Sequence, residues 1–427
     1  MTPRSERAGF APERLARMRR VALVLVAAVG LAPASSPARA ALARDLAAQA
    51  KSLVGADQGV YVEAADGTVL VAQAAARAVH PASVSKVPTT LALLRSLGPE
   101  HRFETRFAAA GPLADGVLEG NLVVEASGDP FLVDENALVV LLALRGLGLA
   151  RVAGDVVVRG PFLFNWKKEG AAARLRAALE GKVPAAAWQA VRARSGAAGR
   201  AGGAAGGSAG GAGAPGLAFG RAAANGAPPP RVLVTHRSQP LLPLVKALYG
   251  YSNNIFAPLA DAAGGIDAVE RVARASVPAA MRGEIVLGDG AGANPRNRLS
   301  PRAAVALLRA LEAELETHGA DLADVLPVTG VDEGTLRQRL AGPGERGHVA
   351  AKTGSYGSYG ACALAGALRT DRGPVYFAIL NRGLAIEPAR RRQDAFVRAL
   401  LAAFDTKPWP YQRDDAPAFT RAEVRAD

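Results

Sequence analysis

Apolar and polar positions divide the chain into short strands and longer helices. Two apolar runs, 59–64 and 68–73, flank the turn residues Ala65-Asp66-Gly67, and this arrangement predicts a β-hairpin. Further strand-like runs lie at 121–125, 156–158, 232–234, 348–353, 361–368 and 375–380. The last three predict a group of antiparallel strands close to the end of the chain.

Helical patterns lie between these strands. One apolar stretch runs from Val87 to Leu97 and ends at Gly98-Pro99, and another helix begins at Asp134 and stops near Gly146. Further helices are predicted at 241–249, at 301–315 behind the N-cap Ser300, and from Pro388 onward. Antiparallel strands flanked by helices from both ends of the chain predict an α+β core.

The composition changes sharply in the middle of the chain. Residues 195–214 are almost entirely Gly, Ala, Ser and Arg, which cannot bury enough apolar surface to offset their ordering entropy. We therefore expect 170–230 to be a flexible insertion, with room for helical turns at 171–179 and 185–193. The expected organisation is a leader at 1–40, a discontinuous core at 41–100 and 231–427, an inserted α/β accessory domain at 101–169, and this flexible insertion.

The first 40 residues predict export. Four arginines between positions 14 and 20 precede an apolar run at 21–32 and the small-x-small sequence Ala38-Arg39-Ala40. This is typical of a Sec signal peptide cleaved after Ala40, so we expect a periplasmic protein. The Arg19-Arg20 pair leaves twin-arginine export open. No later segment reaches the roughly 18 apolar residues of a transmembrane span, and the single cysteine, Cys362, excludes an intrachain disulfide.

Charge adds little to this picture. The formal net charge is +13 over 427 residues, and removal of the seven arginines and two glutamates of the leader leaves +8. For an exported chain the nearest polyanions are wall polymers and lipid headgroups. The arginines are scattered and only 5% of residues are aromatic, so nucleic-acid binding is not expected.

Three short motifs carry candidate chemistry: Ser83-Val84-Ser85-Lys86, Ser252-Asn253-Asn254 and Lys352-Thr353-Gly354. Each is weak when taken singly. However, Lys86 is the only one of eight lysines with a serine three positions earlier, and Lys-Thr-Gly occurs once. Their order along the chain is the one found in serine penicillin-binding enzymes.

Residues three apart at the start of a helix share one face, so the Lys86 amine can reach the Ser83 hydroxyl. A serine hydroxyl needs an adjacent base to act as a nucleophile. Lysine can be that base only if its pKa is lowered by desolvation or by a nearby cation, and Lys352 could supply the cation. The alternative interpretation is a solvated Ser/Lys pair at a helix start.

The other two motifs offer groups that contact a substrate. Ser252 would relay a proton and Asn254 would bind a substrate amide, although Tyr251-Ser252-Asn253 also fits a related Tyr-x-Asn pattern. Lys352 gives a point charge for a carboxylate, Thr353 a hydroxyl beside it, and Gly354 close approach of the substrate backbone. The N–H groups of Ser83 and Ser355 would form an oxyanion hole. A polar loop and a plain edge strand are the alternatives.

No metal or organic cofactor is expected. The five histidines show no metal-ligand spacing, and Cys362 has no cysteine partner. The sequence Gly288-Asp289-Gly290-Ala291-Gly292 lacks the spacing of a dinucleotide-binding loop.

The chain resembles the low-molecular-mass class C penicillin-binding proteins, the D-alanyl-D-alanine carboxypeptidase/endopeptidase family. Beyond the three motifs, the matching residues include Pro81-Ala82, Leu97-Gly98-Pro99, Gly120-Asn121-Leu122, Gly128-Asp129-Pro130, Asp289-Gly290-Ala291-Gly292 and Asn297-Arg298-Leu299-Ser300-Pro301. The resemblance covers roughly 59–164 and 235–404. It implies a penicillin-binding/β-lactamase-like transpeptidase core with an inserted smaller domain.

Three features depart from the family pattern. The insertion between the first two motifs is short, so one of the family's two accessory domains is expected to be missing. Ala291 stands where relatives often have serine. The segment 355–359 is about two residues longer than usual, so the turn after the third motif is expected to be reshaped.

The resemblance implies a serine-type D-Ala-D-Ala carboxypeptidase acting on peptidoglycan stem peptides that end in D-Ala-D-Ala. It also implies cross-link endopeptidase activity and acylation by β-lactam antibiotics. Two alternatives stay open: a β-lactamase or esterase on the same scaffold, and a non-catalytic peptidoglycan-binding protein. The sequence lacks a Glu-x-x-Leu-Asn deacylation motif, which disfavours the first of them.

Overall fold

The computed structural model describes residues 37–201, 215–220, 229–250 and 254–427, and the elements named below lie within them. The helices in this part of the chain are α1 (Pro37–Gln49), α2 (Lys86–Leu97), α3 (Asp134–Gly146), α4 (Ala171–Leu179), α5 (Ala185–Ala201), α6 (Leu241–Gly250), α7 (Phe256–Ala262), α8 (Ile266–Ala275), α9 (Pro301–Glu316) and α10 (Ile386–Ala403). The proposed signal peptide falls almost wholly on residues 1–36, which lie outside the described residues.

The strands in the same residues are β1 (Gly59–Ala64), β2 (Val69–Gln73), β3 (Glu104–Ala110), β4 (Leu113–Ala114), β5 (Val117–Leu118), β6 (Asn121–Ala126), β7 (Arg151–Val152), β8 (Val156–Arg159), β9 (Ala218–Phe219), β10 (Arg231–Arg237), β11 (Ile285–Val286), β12 (Arg298–Leu299), β13 (Val349–Tyr356), β14 (Ala361–Thr370), β15 (Val375–Asn381), β16 (Thr406–Lys407) and β17 (Glu423–Ala426). The predicted hairpin and the three predicted late strands are confirmed.

One antiparallel sheet joins the two ends of the chain. Its strand order is β13-β14-β15-β1-β2, and β16 pairs with the end of β14. The early hairpin enters this sheet where β1 pairs with β15, with Tyr61 opposite Ala378. The predicted α+β class is therefore confirmed, because a sheet built from both chain ends is flanked by helices.

Successive side chains of β1 point to opposite faces of this sheet, and each face carries its own apolar layer. Val60 and Val62 point to the face covered by α1 and α10, where they pack with Leu46 and Phe396. Tyr61 points to the other face, which carries α2 and α9. Successive strand residues point to opposite faces, so one short strand contributes to both apolar layers.

A second sheet has the order β17-β10-β3-β6-β8, in which β8 runs parallel to β6. Its strands β3, β6 and β8 come from the segment 101–169, which the sequence analysis expects to be an accessory domain. Its other two strands, β10 and β17, come from residues 231–237 and 423–426, which were assigned to the core. The sheet therefore takes two of its five strands from outside 101–169, and the domain boundaries stay a prediction.

The expected flexible segment 170–230 begins with helical structure. Its first described part forms α4 and α5, and both helices pack on α3. Leu175 and Leu179, four residues apart on one face of α4, are fully buried. The helical turns that the sequence allows at 171–179 and 185–193 are therefore present as α4 and α5, and the leucines of α4 stand at helical spacing. Residues 202–214 and 221–228 lie outside the described residues.

Residues 41–427 form one compact unit. Among the described residues, no helix combines the length and apolar character needed to cross a membrane.

Candidate active site

The first motif lies at the junction of a short turn and a buried helix. Residues Ala82–Ser85 form a single 3-10 turn, and α2 begins directly afterwards at Lys86. Lys86 Nζ donates a hydrogen bond to Ser83 Oγ over 3.4 Å. Ser83 is half-buried, whereas Lys86 is 2% exposed. The structure thus brings the hydroxyl and the amine together, as the spacing predicts, and leaves the hydroxyl accessible.

The peptide before Ser83 is held in an uncommon conformation. Ala82 has φ of 46°, in the left-handed region that costs a residue with a Cβ about 1 kcal/mol or more. Two glycines approach this peptide closely. A Cβ at Gly354 would lie 2.8 Å from Ser83 N, and one at Gly292 would lie 2.0 Å from the Ala82 carbonyl oxygen. A side chain at either position would force this turn to shift, so the two glycines help to fix the direction of the Ser83 N–H.

Burial changes the protonation of both lysines. It lowers the pKa of Lys86 to about 8, against the opposing effect of the Asp289 carboxylate. It lowers the pKa of Lys352 to about 7, and the charge on Lys86 contributes to this decrease. The charge on Lys86 thus acts on Lys352, and Gly354 lies close to Ser83 N, so the first and third motifs meet in one site.

Two aromatic rings lie beneath these amines. The Lys86 ammonium is 5.3 Å from the centre of the Phe256 ring, and the Lys352 ammonium is 5.9 Å from that of Tyr249. The two rings contact each other edge to face with their centres 5.1 Å apart. The Tyr249 hydroxyl is 2.9 Å from Thr90 Oγ1 on α2. This aromatic pair joins α6 and α7 to the helix that carries Lys86.

The third motif lies on β13 beside the turn Ala82–Ser85, which carries the candidate nucleophile Ser83 and is called the nucleophile turn. Lys352 and Gly354 are two residues apart on β13 and therefore lie on the same face of the strand, the one next to Ser83. Lys352 Nζ donates to the Thr353 carbonyl oxygen over 2.8 Å, and Thr353 Oγ1 lies 2.5 Å from Thr335 Oγ1. Ser355 is exposed, and its Oγ accepts a hydrogen bond from Arg390. These substrate-facing candidates therefore occupy one strand edge next to the nucleophile.

The second motif is described only in part. Tyr251, Ser252 and Asn253 lie outside the described residues, so the choice between the two possible frames is not settled by the fold. Asn254 is exposed, and its carbonyl oxygen accepts a hydrogen bond from the Ala257 N–H at the start of α7. It stands two residues before Phe256, the ring beneath Lys86.

A loop that the resemblance marked without a role supports the nucleophile turn. The Asp289 carboxylate accepts hydrogen bonds from the N–H groups of Ala291, Gly292 and Ala293. It also accepts one from the Asn297 side chain. Asp289 therefore shapes the loop that brings Gly292 against Ala82. Ala291, the departure from the serine of relatives, is buried in this loop.

The lengthened segment after the third motif forms an aromatic cluster with a histidine that the sequence analysis did not single out. His80 lies 4.7 Å from the ring of Tyr356 and 5.5 Å from that of Tyr359, in nearly parallel stacks. The signal in the sequence was its position three residues before Ser83, but its partner rings are about 280 positions away and could not be assigned from spacing.

Within the described ranges, no group of three or more His, Cys, Asp or Glu side chains could hold a metal ion.

The chain is similar in sequence to a known protein family. The D-Ala-D-Ala carboxypeptidase 3 (S13) family matches residues 39–162 and 218–403. One curated relative, the D-alanyl-D-alanine carboxypeptidase DacB of Haemophilus influenzae, is 35% identical over 77 residues. That alignment covers 18% of this chain and 16% of the relative.

Solved structures show the same fold over a much larger share of the chain. A predatory endopeptidase of Bdellovibrio bacteriovorus, in complex with an immunity protein, has a TM-score of 0.70 at 23% identity, covering 86% of this chain and 99% of its own. A penicillin G-acylated predatory endopeptidase of the same organism has a TM-score of 0.68 at 21% identity, covering 86% and 99%. Penicillin-binding protein 4 of Haemophilus influenzae has a TM-score of 0.59 at 19% identity, covering 84% and 99%.

Proposed function

Because this chain belongs to the D-Ala-D-Ala carboxypeptidase 3 (S13) family, we propose that it is a serine-type D-Ala-D-Ala carboxypeptidase of the bacterial cell wall. Its substrates are peptidoglycan stem peptides that end in D-Ala-D-Ala, and it acts through an acyl-enzyme on Ser83. The observation that carries the proposal is the buried Lys86 amine, 3.4 Å from Ser83 Oγ and with a pKa lowered to about 8. Such an amine can act as a general base near neutral pH, which an ordinary lysine cannot.

In the first half-reaction the neutral Lys86 amine takes the proton of Ser83. Ser83 Oγ forms a bond to the carbonyl carbon of the penultimate D-alanine. The negative charge that develops on the carbonyl oxygen is stabilised by the N–H groups of Ser83 and Ser355. The close approach of Gly354 to Ser83 N supports this assignment, because it brings the β13 backbone next to the nucleophile.

Lys352 and Thr353 bind the terminal carboxylate of the substrate. A pKa of about 7 leaves Lys352 partly neutral in the free protein. An arriving carboxylate favours the charged form, so substrate binding and protonation of Lys352 reinforce each other. Asn254 holds a substrate amide beside this carboxylate pocket.

Completion of the cycle returns Ser83 and Lys86 to their starting protonation states. The carbon–nitrogen bond breaks as the proton held by Lys86 passes through Ser252 to the amine of the leaving D-alanine. Water then attacks the acyl ester while Lys86 again takes a proton, the bond between the acyl carbon and Ser83 Oγ breaks, and Lys86 returns the proton to Ser83 Oγ as the shortened peptide leaves with a new carboxylate. No metal or organic cofactor takes part in this scheme.

The same acyl-enzyme chemistry extends to two further substrates. A cross-linked peptide offers a D-alanyl carbonyl in the same setting, so endopeptidase cleavage is part of the proposal. β-Lactams acylate Ser83 and block it. A penicillin G-acylated endopeptidase and a penicillin-binding protein are among the solved structures of similar fold, which supports this extension.

The proposed setting of the enzyme is the periplasm, reached through a Sec signal peptide cleaved after Ala40. We also propose that the second sheet, with α3, α4 and α5, is the inserted accessory domain. All of its elements except β17 lie between the first and second motifs in the chain, which supports a role in presenting wall peptides to the cleft.

One experiment tests this function against its alternatives. The purified protein is incubated with labelled penicillin and with a D-Ala-D-Ala pentapeptide, and both adduct lifetime and D-alanine release are followed. A long-lived adduct together with released D-alanine is the expected result. Rapid penicillin turnover without D-alanine release would identify a β-lactamase, and the absence of any adduct would identify a binding protein. Ser83→Ala is the control, in which both signals should vanish while the melting temperature stays nearly unchanged.

A further inference from the structure

His80 connects the nucleophile turn to the loop that supports it. Its ring is 7% exposed and lies between two backbone groups. His80 Nδ1 is 3.2 Å from the N–H of Ala82, and His80 Nε2 is 3.1 Å from the carbonyl oxygen of Asn294. One ring therefore bridges the peptide next to Ser83 and the loop shaped by Asp289.

The partners of the ring determine its tautomer. The Ala82 N–H can only donate, so Nδ1 must be the unprotonated acceptor. The Asn294 carbonyl can only accept, so the proton resides on Nε2. This arrangement requires a neutral imidazole. Burial lowers the pKa of His80; of the charged groups around it, Arg298 lowers the pKa further and Asp289 opposes this.

The peptide that His80 holds is the one in the strained conformation. Ala82 has φ of 46°, and the following N–H is that of Ser83. Gly292 and Gly354 lie close to this turn. The His80 side chain restrains the turn by accepting a hydrogen bond from the Ala82 N–H. A turn with such a left-handed residue needs several restraints to persist. Without the acceptor at Nδ1, the Ala82 N–H would be buried without a partner.

The aromatic cluster covers the outer side of this imidazole. Tyr356 and Tyr359 stack on the ring, and their own rings are 5.1 Å apart. Tyr359 keeps 48% of its surface exposed, so it forms the outer layer between His80 and solvent. Both tyrosines come from the lengthened segment after the third motif. That segment thereby gains a role in keeping His80 oriented and shielded from water.

We propose that His80 is a positioning residue that sets the direction of the Ser83 N–H, and so the strength of the oxyanion hole, by accepting the Ala82 N–H at Nδ1. The inference rests on the proposed function, because it concerns the acylation step of that mechanism. It assigns to His80 no contact with the substrate. Its effect should therefore appear in the rate of acylation rather than in ground-state binding.

Three substitutions separate the hydrogen bond from the stacking and the volume. His80→Asn keeps an acceptor close to the position of Nδ1. His80→Gln places its amide one bond farther along, near the position of Nε2. His80→Phe keeps a stacked ring and removes both hydrogen bonds. His101→Asn is the matched control, because His101 is a half-buried histidine that contacts Phe103 away from the site.

The measurement is the acylation of each variant by a chromogenic penicillin, with the limiting rate constant separated from the apparent dissociation constant. We expect His80→Phe to lower the rate constant about 10- to 100-fold while the dissociation constant changes less than about threefold. His80→Asn should recover most of the rate, and His80→Gln should not. Affinity for a boronic acid, which carries an oxygen into the oxyanion hole, should fall in parallel with the rate.

The outcomes separate this inference from the proposed function. If the unchanged protein is not acylated, the proposed function fails. If it is acylated and His80→Phe reacts at the same rate per folded molecule, the function stands and the inference is overturned. Should His80→Phe not fold, the Asn and Gln variants carry the test, and equal acylation rates for those two would overturn the inference.

Discussion

Lys86 Nζ lies 3.4 Å from Ser83 Oγ, in a setting where Lys86 is almost fully buried. Proximity alone would leave a charged ammonium beside a weakly nucleophilic hydroxyl. Burial lowers the pKa of Lys86 to about 8, so a usable fraction of the amine is neutral near neutral pH. The fold thus lowers the pKa of Lys86 by excluding water, as the proposed role of Lys86 as a base requires.

The rate of acylation by penicillin is expected to rise with pH and to level off above about pH 8. Lys86 acts as a base only when neutral, so the active fraction increases about tenfold per pH unit below its pKa of about 8. Rapid-mixing rate constants at saturating penicillin between about pH 6 and 10 measure this profile. Lys86→Arg, a permanent cation, should lower the rate at least about a hundredfold. A flat profile in the unchanged protein would refute the role of Lys86 as base.

Replacing Lys352 is expected to stabilise the protein. The pKa of Lys352 is lowered from 10.5 to about 7 in the folded chain. Between these values the unfolded chain binds more protons, so the free energy of unfolding rises with pH across that window. Below about pH 7 the folded state carries the full cost of a buried cation. Lys352→Met should therefore raise the melting temperature by about 2–5 °C at pH 6, and by less toward pH 10.

Calorimetry across this pH range checks that expectation, and a gain that does not depend on pH would contradict it. The same variant should bind penicillin and D-Ala-D-Ala peptides more weakly, because the cation for the substrate carboxylate is lost. Lys352→Arg, which keeps a charge at every pH, is the matched comparison and should lose the pH dependence of binding.

A methyl group at Gly354 should slow acylation without abolishing the fold. Its Cβ would meet Ser83 N at 2.8 Å and Ala82 Cβ at 2.9 Å, so the nucleophile turn must shift. We expect Gly354→Ala to lower the acylation rate about a hundredfold, since small displacements of an oxyanion donor are costly. Gly357→Ala is the control on the neighbouring turn, where an added Cβ meets nothing within 4 Å. Equal rates for the two variants would be inconsistent with this description of the site.

The helix that leads to the second motif is fixed by a buried ion pair. Lys246 Nζ on α6 donates to Asp332 Oδ2 over 2.6 Å and to the carbonyl oxygens of Ala323 and Leu326 over 2.7 Å. Asp332→Leu should lower the free energy of unfolding by about 3 kcal/mol, because it leaves Lys246 buried without its carboxylate. The double variant Lys246→Met/Asp332→Leu should recover the part of this loss that comes from the lysine, whereas the Val328 N–H and the Tyr411 hydroxyl still lose their acceptor. Urea titrations measure both, and additive losses would argue against a coupled pair.

The sequence was informative where structure is local. The hairpin around Ala65-Asp66-Gly67, the helix after Ser83 and the helix behind Ser300 were predicted because turn residues, caps and periodicity act over a few positions. Ser83 and Lys86 were paired correctly for the same reason. The α+β class followed from the order of these local elements.

Long-range partners were much harder to predict. Strand β3 contains three consecutive alanines, a weak strand signal, and it is fixed by pairing with β6 and β10. Strand β17 is a four-residue segment at the chain end whose partner lies near residue 235. The functional contributions of His80, Tyr249 and Phe256 depend on contacts between distant segments, so no spacing rule could reveal them. The proximity of Lys352 to Lys86 was predicted only because the order of the motifs is the same as in a known family.

Peptide mapping identifies the serine that penicillin acylates, which we expect to be Ser83. The folded protein is treated with penicillin, digested with trypsin, and the peptide of residues 78–86 is fragmented. This peptide contains Ser83 and Ser85, of which Ser85 is fully buried. The account predicts a penicilloyl group on Ser83 alone, and its absence after Ser83→Ala. An unmodified peptide 78–86, or an adduct on any other serine, would contradict it.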